Sequence, residues 1–282
     1  MQKENLNISA KDGLKLYGQH WIPDREPDLA ICILHGFGGH SGHYEEFSSY
    51  MTGKGHAVFG MDMRGHGKSE GRRGYIKSGD LLMSDIGNLL VEARRTYLGL
   101  PIILFGHSMG GLLAANYILK YRSSELTGVV ITSPLFRLAF KPEDSTILFS
   151  KIISWFYPGY TLSYHADPGQ LSSSKLSAAA MLQDPLIHNR VSYRLYQYFN
   201  RSGPWAVSHA SMNNLPTLVM HGEKDRITSW EASRDFCTNA GAGTTFKLWQ
   251  GFRHELHNDE RKSEVLDYIN DWISGVVNGR IE

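Results

Sequence analysis

Cysteine is scarce in this chain: Cys32 and Cys237 are the only two among 282 residues. Cys32 stands in an apolar run and Cys237 in a helix-like segment, so neither points to a disulfide framework. No Cys/His cluster has the spacing of a zinc site, and no metal or other cofactor is expected. Charge of one sign is missing too. The 29 basic residues face 28 acidic ones, which leaves no overall field and no basic tract for nucleic acid. No apolar run approaches the roughly 20 residues that cross a bilayer. The start, Met1 to Asn5, is polar and lacks the apolar stretch of a secretion signal. The expectation is a cytoplasmic protein whose only membrane role would be transient peripheral contact.

What the chain does have is alternation. Leu14 to Trp21 alternates as a half-buried strand. Short apolar runs follow at 30–34, 57–61, 102–105, 129–131, 217–220 and 245–248, and helix-length segments fill most gaps between them. Leu81 to Leu98, with Ile86, Leu89, Leu90 and Ala93, carries a helical stripe; Gly110 to Tyr121 and Glu264 to Val276 read the same way. Continuous apolar strands separated by helices predict a parallel sheet covered on both faces. The alternation breaks between about Phe136 and Trp205. There an apolar segment from Ser145 to Tyr157 stops at Pro158-Gly159, and a second helical segment covers Val191 to Phe199. The predicted organisation is a core of residues 1–135 and 206–282 with a helical cap, or lid, at 136–205.

Gly-x-Ser-x-Gly marks a sharp strand-to-helix turn that exposes a serine, and it occurs twice, around Ser69 and around Ser108. Context separates the two. Ser108 follows the run Ile102 to Phe105 and precedes the helix from Gly110. Ser69 sits among Arg64-Gly65-His66 and Gly71-Arg72-Arg73, where a hydroxyl more plausibly ties down its own loop. A plain helix N-cap is the competing role for Ser108.

A serine hydroxyl needs an adjacent base at neutral pH, and in this architecture the acid and then the histidine follow the serine in chain order. After the strand at 217–220 comes His221-Gly222-Glu223-Lys224-Asp225. Asp225, at the far end of the turn, is preferred to Glu223 as the orienting acid; capping the helix near Trp230 is its alternative role. Of the two later histidines, His254 lies nearer the strand end and is the expected base. His257 is then a substrate-facing neighbour or a surface residue. The tetrahedral intermediate needs two preorganised N–H donors. The expected pair is the amide of Met109, next to the nucleophile, and that of Phe37 in the turn His35-Gly36-Phe37-Gly38-Gly39, whose glycines let backbone approach the acyl group.

These pieces together resemble the bacterial monoacylglycerol lipase and lysophospholipase group of α/β-hydrolases. The matching segments are His35-Gly36-x-Gly38 with His40-Ser41-Gly42-His43-Tyr44, Asp62-x-Arg64-Gly65-His66-Gly67, Gly106-His107-Ser108-Met109-Gly110-Gly111, Asp184-Pro185-Leu186-Ile187-His188, His221-Gly222-x-x-Asp225-Arg226 and Gly251-x-x-His254-Glu255-Leu256-x-Asn258. The resemblance implies an α/β-hydrolase fold, hydrolysis of single-chain acyl glycerides without a metal, and a mobile apolar cap over an acyl tunnel. It supports the roles given to Ser108, Asp225, His254, Phe37 and Met109, and places Gly38, His257 and the cap residue Ile153 beside substrate. Mammalian members hold the glycerol end with an acid and a basic residue; those positions here are Gly39 and His43.

The segment from Ile147 to Tyr157 is apolar apart from Ser150, Lys151 and Ser154, as suits a helix that buries an acyl chain or dips into a lipid surface. The cap carries seven basic residues against four acidic ones. That balance disfavours an aminopeptidase, which would want carboxylates for a substrate amine. A small lipid ester is the expected substrate, with lysophospholipids, simple esters and thioesters as alternatives, and a non-catalytic ligand-binding protein as the remaining one.

Overall fold

A computed structural model describes residues 1–121, 125–163 and 167–281. An eight-stranded sheet forms its centre, in the order β1-β2-β4-β3-β5-β6-β9-β10. The strands are β1 (Gln2–Ser9), β2 (Lys15–Ile22), β3 (Ala30–Leu34), β4 (Ala57–Met61), β5 (Ile102–His107), β6 (Gly128–Thr132), β9 (Thr217–Gly222) and β10 (Thr244–Trp249). β1 and β2 are antiparallel to their neighbours and every other pairing is parallel. This is the predicted α/β-hydrolase architecture with one addition. β1 is polar and mostly exposed, because it closes the sheet edge and hydrogen-bonds along β2 rather than burying side chains.

A continuous apolar run conceals a division of labour. Alternate residues of β3 point to opposite faces, so Cys32 and Leu34 join one core while Ile31 and Ile33 join the other. The first core packs beneath α2 (Gly79–Thr96), α3 (Met109–Tyr121) and α8 (Trp230–Ala240); the second packs beneath α1 (Glu45–Lys54) and α9 (Lys262–Val277). Burying each such aliphatic side chain stabilises the fold by about 1.5–3 kcal/mol, which is why both faces of the sheet carry helices. Cys32 and Cys237 are buried as free thiols. Among the described residues no helix is long and apolar enough to cross a membrane.

Between β6 and β9 the chain leaves the sheet. It forms α4 (Asp144–Phe156), β7 (Thr161–Ser163), α5 (Pro168–Leu171), α6 (Lys175–Gln183), β8 (Arg190–Ser192) and α7 (Tyr193–Ser208), with β7 and β8 paired as a small antiparallel sheet. α7 runs well past Phe199. Gly203 and Pro204 look like a stop in sequence, yet the helix continues through them to Ser208. Packing is the reason: Ser202, Gly203 and Ala206 are buried, and a Cβ at Gly203 would stand 2.2 Å from the Phe136 carbonyl oxygen. The boundary expected at 205 therefore falls inside one helix whose second half lies on the core.

Candidate active site

Ser108 occupies the turn between β5 and α3 with φ of +54°, a left-handed conformation that costs a non-glycine residue about 1–2 kcal/mol. Three hydrogen bonds hold it there. Its amide donates to Thr132 O at 2.9 Å, and its carbonyl accepts from Leu112 N and Leu135 N, each at 3.0 Å. The flanking glycines are a packing necessity: a Cβ at Gly106 would lie 2.4 Å from Gly110 O, and one at Gly110 would lie 2.0 Å from Leu34 O. Ser69, the other serine of the same pattern, accepts from Tyr17 N and donates to Asp62 O, which secures its own loop.

His254 and Asp225 reach the same end of the sheet from the loops after β10 and β9. His254 Nδ1 stands 2.6 Å from Asp225 Oδ2. That oxygen also accepts from His221 Nε2 at 2.9 Å and Thr228 Oγ1 at 2.9 Å, while Oδ1 accepts from Ile227 N and Thr228 N at 2.7 and 3.0 Å. Burial works against the charge on Asp225, but the two imidazoles hold its carboxyl well below the usual range. Burial likewise disfavours a charged His254, yet the Asp225 carboxylate outweighs it and raises the imidazole above its ordinary value. The backbone of His254 is pinned by Ser133, itself at φ of +44°, whose hydroxyl donates to His254 O at 2.7 Å. Glu223 turns away and accepts from Gly251 N, and the N-cap of α8 is Ser229. Neither alternative for this loop describes Asp225.

Ser108 and His254 line one cavity of about 410 Å3. Among the described residues Ser108 Oγ makes no direct hydrogen bond, and His254 uses only its Nδ1; the bond between them is one that catalytic sites commonly tighten on substrate binding. Among the described residues, the amides of Phe37 and Met109 meet no protein acceptor. Gly38 also lines the cavity, at φ of +76°. Its carbonyl accepts from His188 N, and a Cβ there would come within 2.3 Å of His188 O, so glycine lets the β3 loop touch the insertion.

His257 is no surface residue. It lines the cavity, stacks on Tyr44 at 4.9 Å and 13°, and burial pushes its pKa down to about 3. Among the described residues its Nδ1 has no hydrogen-bond partner, whereas His43, which lines the same cavity, has its Nε2 3.5 Å from Asp184 Oδ2. His107 lies between His254 and His257 in ring contact with both, and burial keeps it neutral. Ile153 departs from expectation: it is not among the cavity's lining residues. The roof is made by Leu171, Met181, Leu182, Asp184, Ile187 and His188, because α6 and the turn after it lie over Ser108. α4 instead turns Leu148, Phe149, Ile152, Trp155 and Phe156 outward. The Asp184-Pro185 turn was visible in sequence, but its position over the site was not.

One side-chain group could be read as a metal site: ligand atoms of His40, His43 and Asp184 lie within 4.8 Å of one another. The hydrogen bonding argues for a latch instead. His40 Nδ1 accepts from Gly42 N at 3.1 Å, so in the neutral ring Nε2 carries the proton and donates to Asp184 Oδ2 at 2.8 Å. A metal would need that same Nε2 lone pair. The contact fastens the turn after α6 to the loop after β3.

The family model described as "Serine aminopeptidase, S33" matches residues 25–261. An uncharacterised abhydrolase domain-containing protein of Dictyostelium discoideum is 32% identical over 271 residues, which are 95% of this chain but only 28% of that much longer protein. The human monoglyceride lipase is 31% identical over 276 residues, covering 93% of this chain and 88% of that one. The crystal structure of a monoacylglycerol lipase from Paleococcus ferrophilus superposes with a TM-score of 0.80 at 29% identity, over 98% of this chain and 100% of that chain. The chain belongs to the serine aminopeptidase, S33 family of α/β-hydrolases, among relatives that bear the name monoglyceride lipase.

Proposed function

We propose that this protein hydrolyses monoacylglycerols to glycerol and a free fatty acid through an acyl-enzyme on Ser108. Ser108 Oγ attacks the ester carbonyl as His254 Nε2 takes its proton, and Asp225 holds the proton on Nδ1 and stabilises the imidazolium. The oxygen that becomes negative accepts from the Phe37 and Met109 amides. The acyl carbon–oxygen bond then breaks, and glycerol leaves with the proton from His254. Water attacks the acyl-enzyme by the same route and restores Ser108. The observation that carries this reading is one cavity bordered by a strained serine, an imidazole raised by a buried carboxylate and the unused amide of Phe37, with the unused amide of Met109 next along the chain from the serine.

The cavity's charges favour a neutral head group. None of its lining residues is Lys or Arg, so the phosphate of a lysophospholipid would meet Asp184 and Glu255 without a compensating cation. Those carboxylates already have partners, His40 for Asp184 and Asn258 for Glu255, which leaves neither free to bind a peptide's amine. The unpartnered His257 Nδ1 suits a glycerol hydroxyl. Residues 136–205 act as the lid, and the apolar face of α4, with Trp155 86% exposed, rests transiently on lipid while substrate loads.

The test is Ser108→Ala with a fluorophosphonate probe and a panel of monoacylglycerols, lysophospholipids and p-nitrophenyl esters. The wild-type protein should label and favour monoacylglycerols. The variant should stay folded, fail to label and lose turnover by at least about a thousandfold. Unlabelled wild type would make this a ligand-binding member of the fold instead.

A further inference from the structure

A second cavity, about 490 Å3, lies between α7 and the core helices and shares no residue with the one around Ser108. Four cations border it: Lys77 and Lys120 from the core, Arg194 and Arg201 from α7. Among the described residues none is ion-paired to a carboxylate; Arg194 donates to Lys77 O at 3.1 Å, and Lys120 sits 5.4 Å over the Trp205 ring. Asp80, in the first turn of α2, forms no ion pair with them either. Asp12, already engaged by Arg64, feels the charge of Lys77 without forming an ion pair with it; the gathered like charges still repel one another, and an anion would relieve that.

Two further observations give the groove a polar floor. α2 begins here, its N-cap Ser78 makes no side-chain capping bond, and among the described residues no first-turn amide meets a protein acceptor. Asn116 is completely buried beneath the groove. Its Nδ2 donates to Leu112 O at 2.9 Å, but its Oδ1 has no partner. A buried amide oxygen left unpaired is a cost to the fold. A fully ionised phosphate ester cannot repair this, since its oxygens only accept; a polyol hydroxyl can. The cations and the helix start call for an anion, and Asn116 calls for an O–H donor on the same molecule.

We infer that this groove binds a small phosphorylated polyol, with the phosphate among Lys77, Arg194, Arg201 and the start of α2, and a hydroxyl donating to Asn116 Oδ1. Its walls belong to the core on one side and to α7 on the other, so the ligand ties the insertion to the core at a distance from the ester site. Titration calorimetry on the full chain with glycerol 3-phosphate, at matched ionic strength, tests it. A saturable 1:1 isotherm is expected. The double variant Lys77→Gln/Arg201→Gln should bind at least about tenfold more weakly, and inorganic phosphate several-fold more weakly than the polyol ester. Both residues are exposed and neither lines the Ser108 cavity, so p-nitrophenyl butyrate turnover by the variant without ligand should match wild type, which shows that it is folded. No saturable binding, equal affinity in the variant, inorganic phosphate binding as tightly as glycerol 3-phosphate, or binding only to phosphatidylglycerol vesicles would each overturn the assignment.

Discussion

Replacing Asp225 by asparagine changes one group, and the hydrogen bonds around that side chain dictate which way the amide must sit. Two backbone donors, Ile227 N and Thr228 N, aim at Oδ1, so the amide oxygen has to stay there. The NH2 group then takes the place of Oδ2 and presents a donor to His254 Nδ1. That nitrogen must become an acceptor, which moves the imidazole proton to Nε2, the atom that should receive the proton of Ser108. The imidazole is still present but in the wrong tautomer, and kcat should fall by about ten-thousandfold, or about 5 kcal/mol of barrier. KM should hardly move, because Asp225 does not line the cavity. Residual activity should no longer rise through a histidine pKa above the ordinary value, since the carboxylate that raised His254 is gone and only burial, which lowers it, remains. Steady-state kinetics with p-nitrophenyl butyrate across pH measure all three effects. Glu223→Gln is the control and should stay near wild type. A D225N enzyme within tenfold of wild-type kcat, or a loss that appears in the Glu223 variant, would refute the reasoning.

Acid should destabilise the protein well above the carboxylate range. His35 is buried with Met63 N donating to its Nε2 at 2.9 Å, and burial lowers its pKa to about 4. Its contribution is therefore complete above about pH 6.5 and is lost as pH falls towards 4, amounting to about 3 kcal/mol. His43 and His257 act in the same direction. His254 opposes them, because its raised pKa favours the fold below 6.5 and loses that benefit at higher pH. Urea midpoints at pH 7 and 4.5 should show a clear net drop, and a flat profile would contradict it. On α4, Ile152→Ser with Trp155→Ser should reduce partition onto lipid vesicles by about tenfold or more while leaving soluble-ester kinetics intact. Unchanged sedimentation with vesicles would remove α4 from membrane contact.

The nucleophile turn was legible because its constraints are local. Gly106 and Gly110 are needed within a few residues of Ser108, by the backbone they approach, and the strand before and helix after are written in adjacent sequence. The parallel strands were legible as apolar runs, though not the sorting of Ile33 and Leu34 to opposite cores. β1 was not, since an edge strand held by main-chain bonds needs no apolar signature. Asp225 could be preferred to Glu223 from its place in the turn. What makes it suitable, the convergence of His221, Thr228 and His254 on one oxygen, depends on side chains from separate loops.

The insertion was the least legible part, for a physical reason. Apolar content reports how much surface a helix would gain by leaving water, but not what it would leave water for. α4 is the more hydrophobic helix and was expected over the substrate, yet its Leu148, Ile152 and Trp155 face outward. The roof belongs to α6 and the turn after it, whose position is set by polar contacts across long stretches of chain: His40 to Asp184, and Gly38 to His188. Such contacts leave no periodicity to read. They also divide the work between the two helices. The segment latched to the core roofs the cavity, and the helix free of the latch keeps its apolar face outward, as the proposed lipid contact requires.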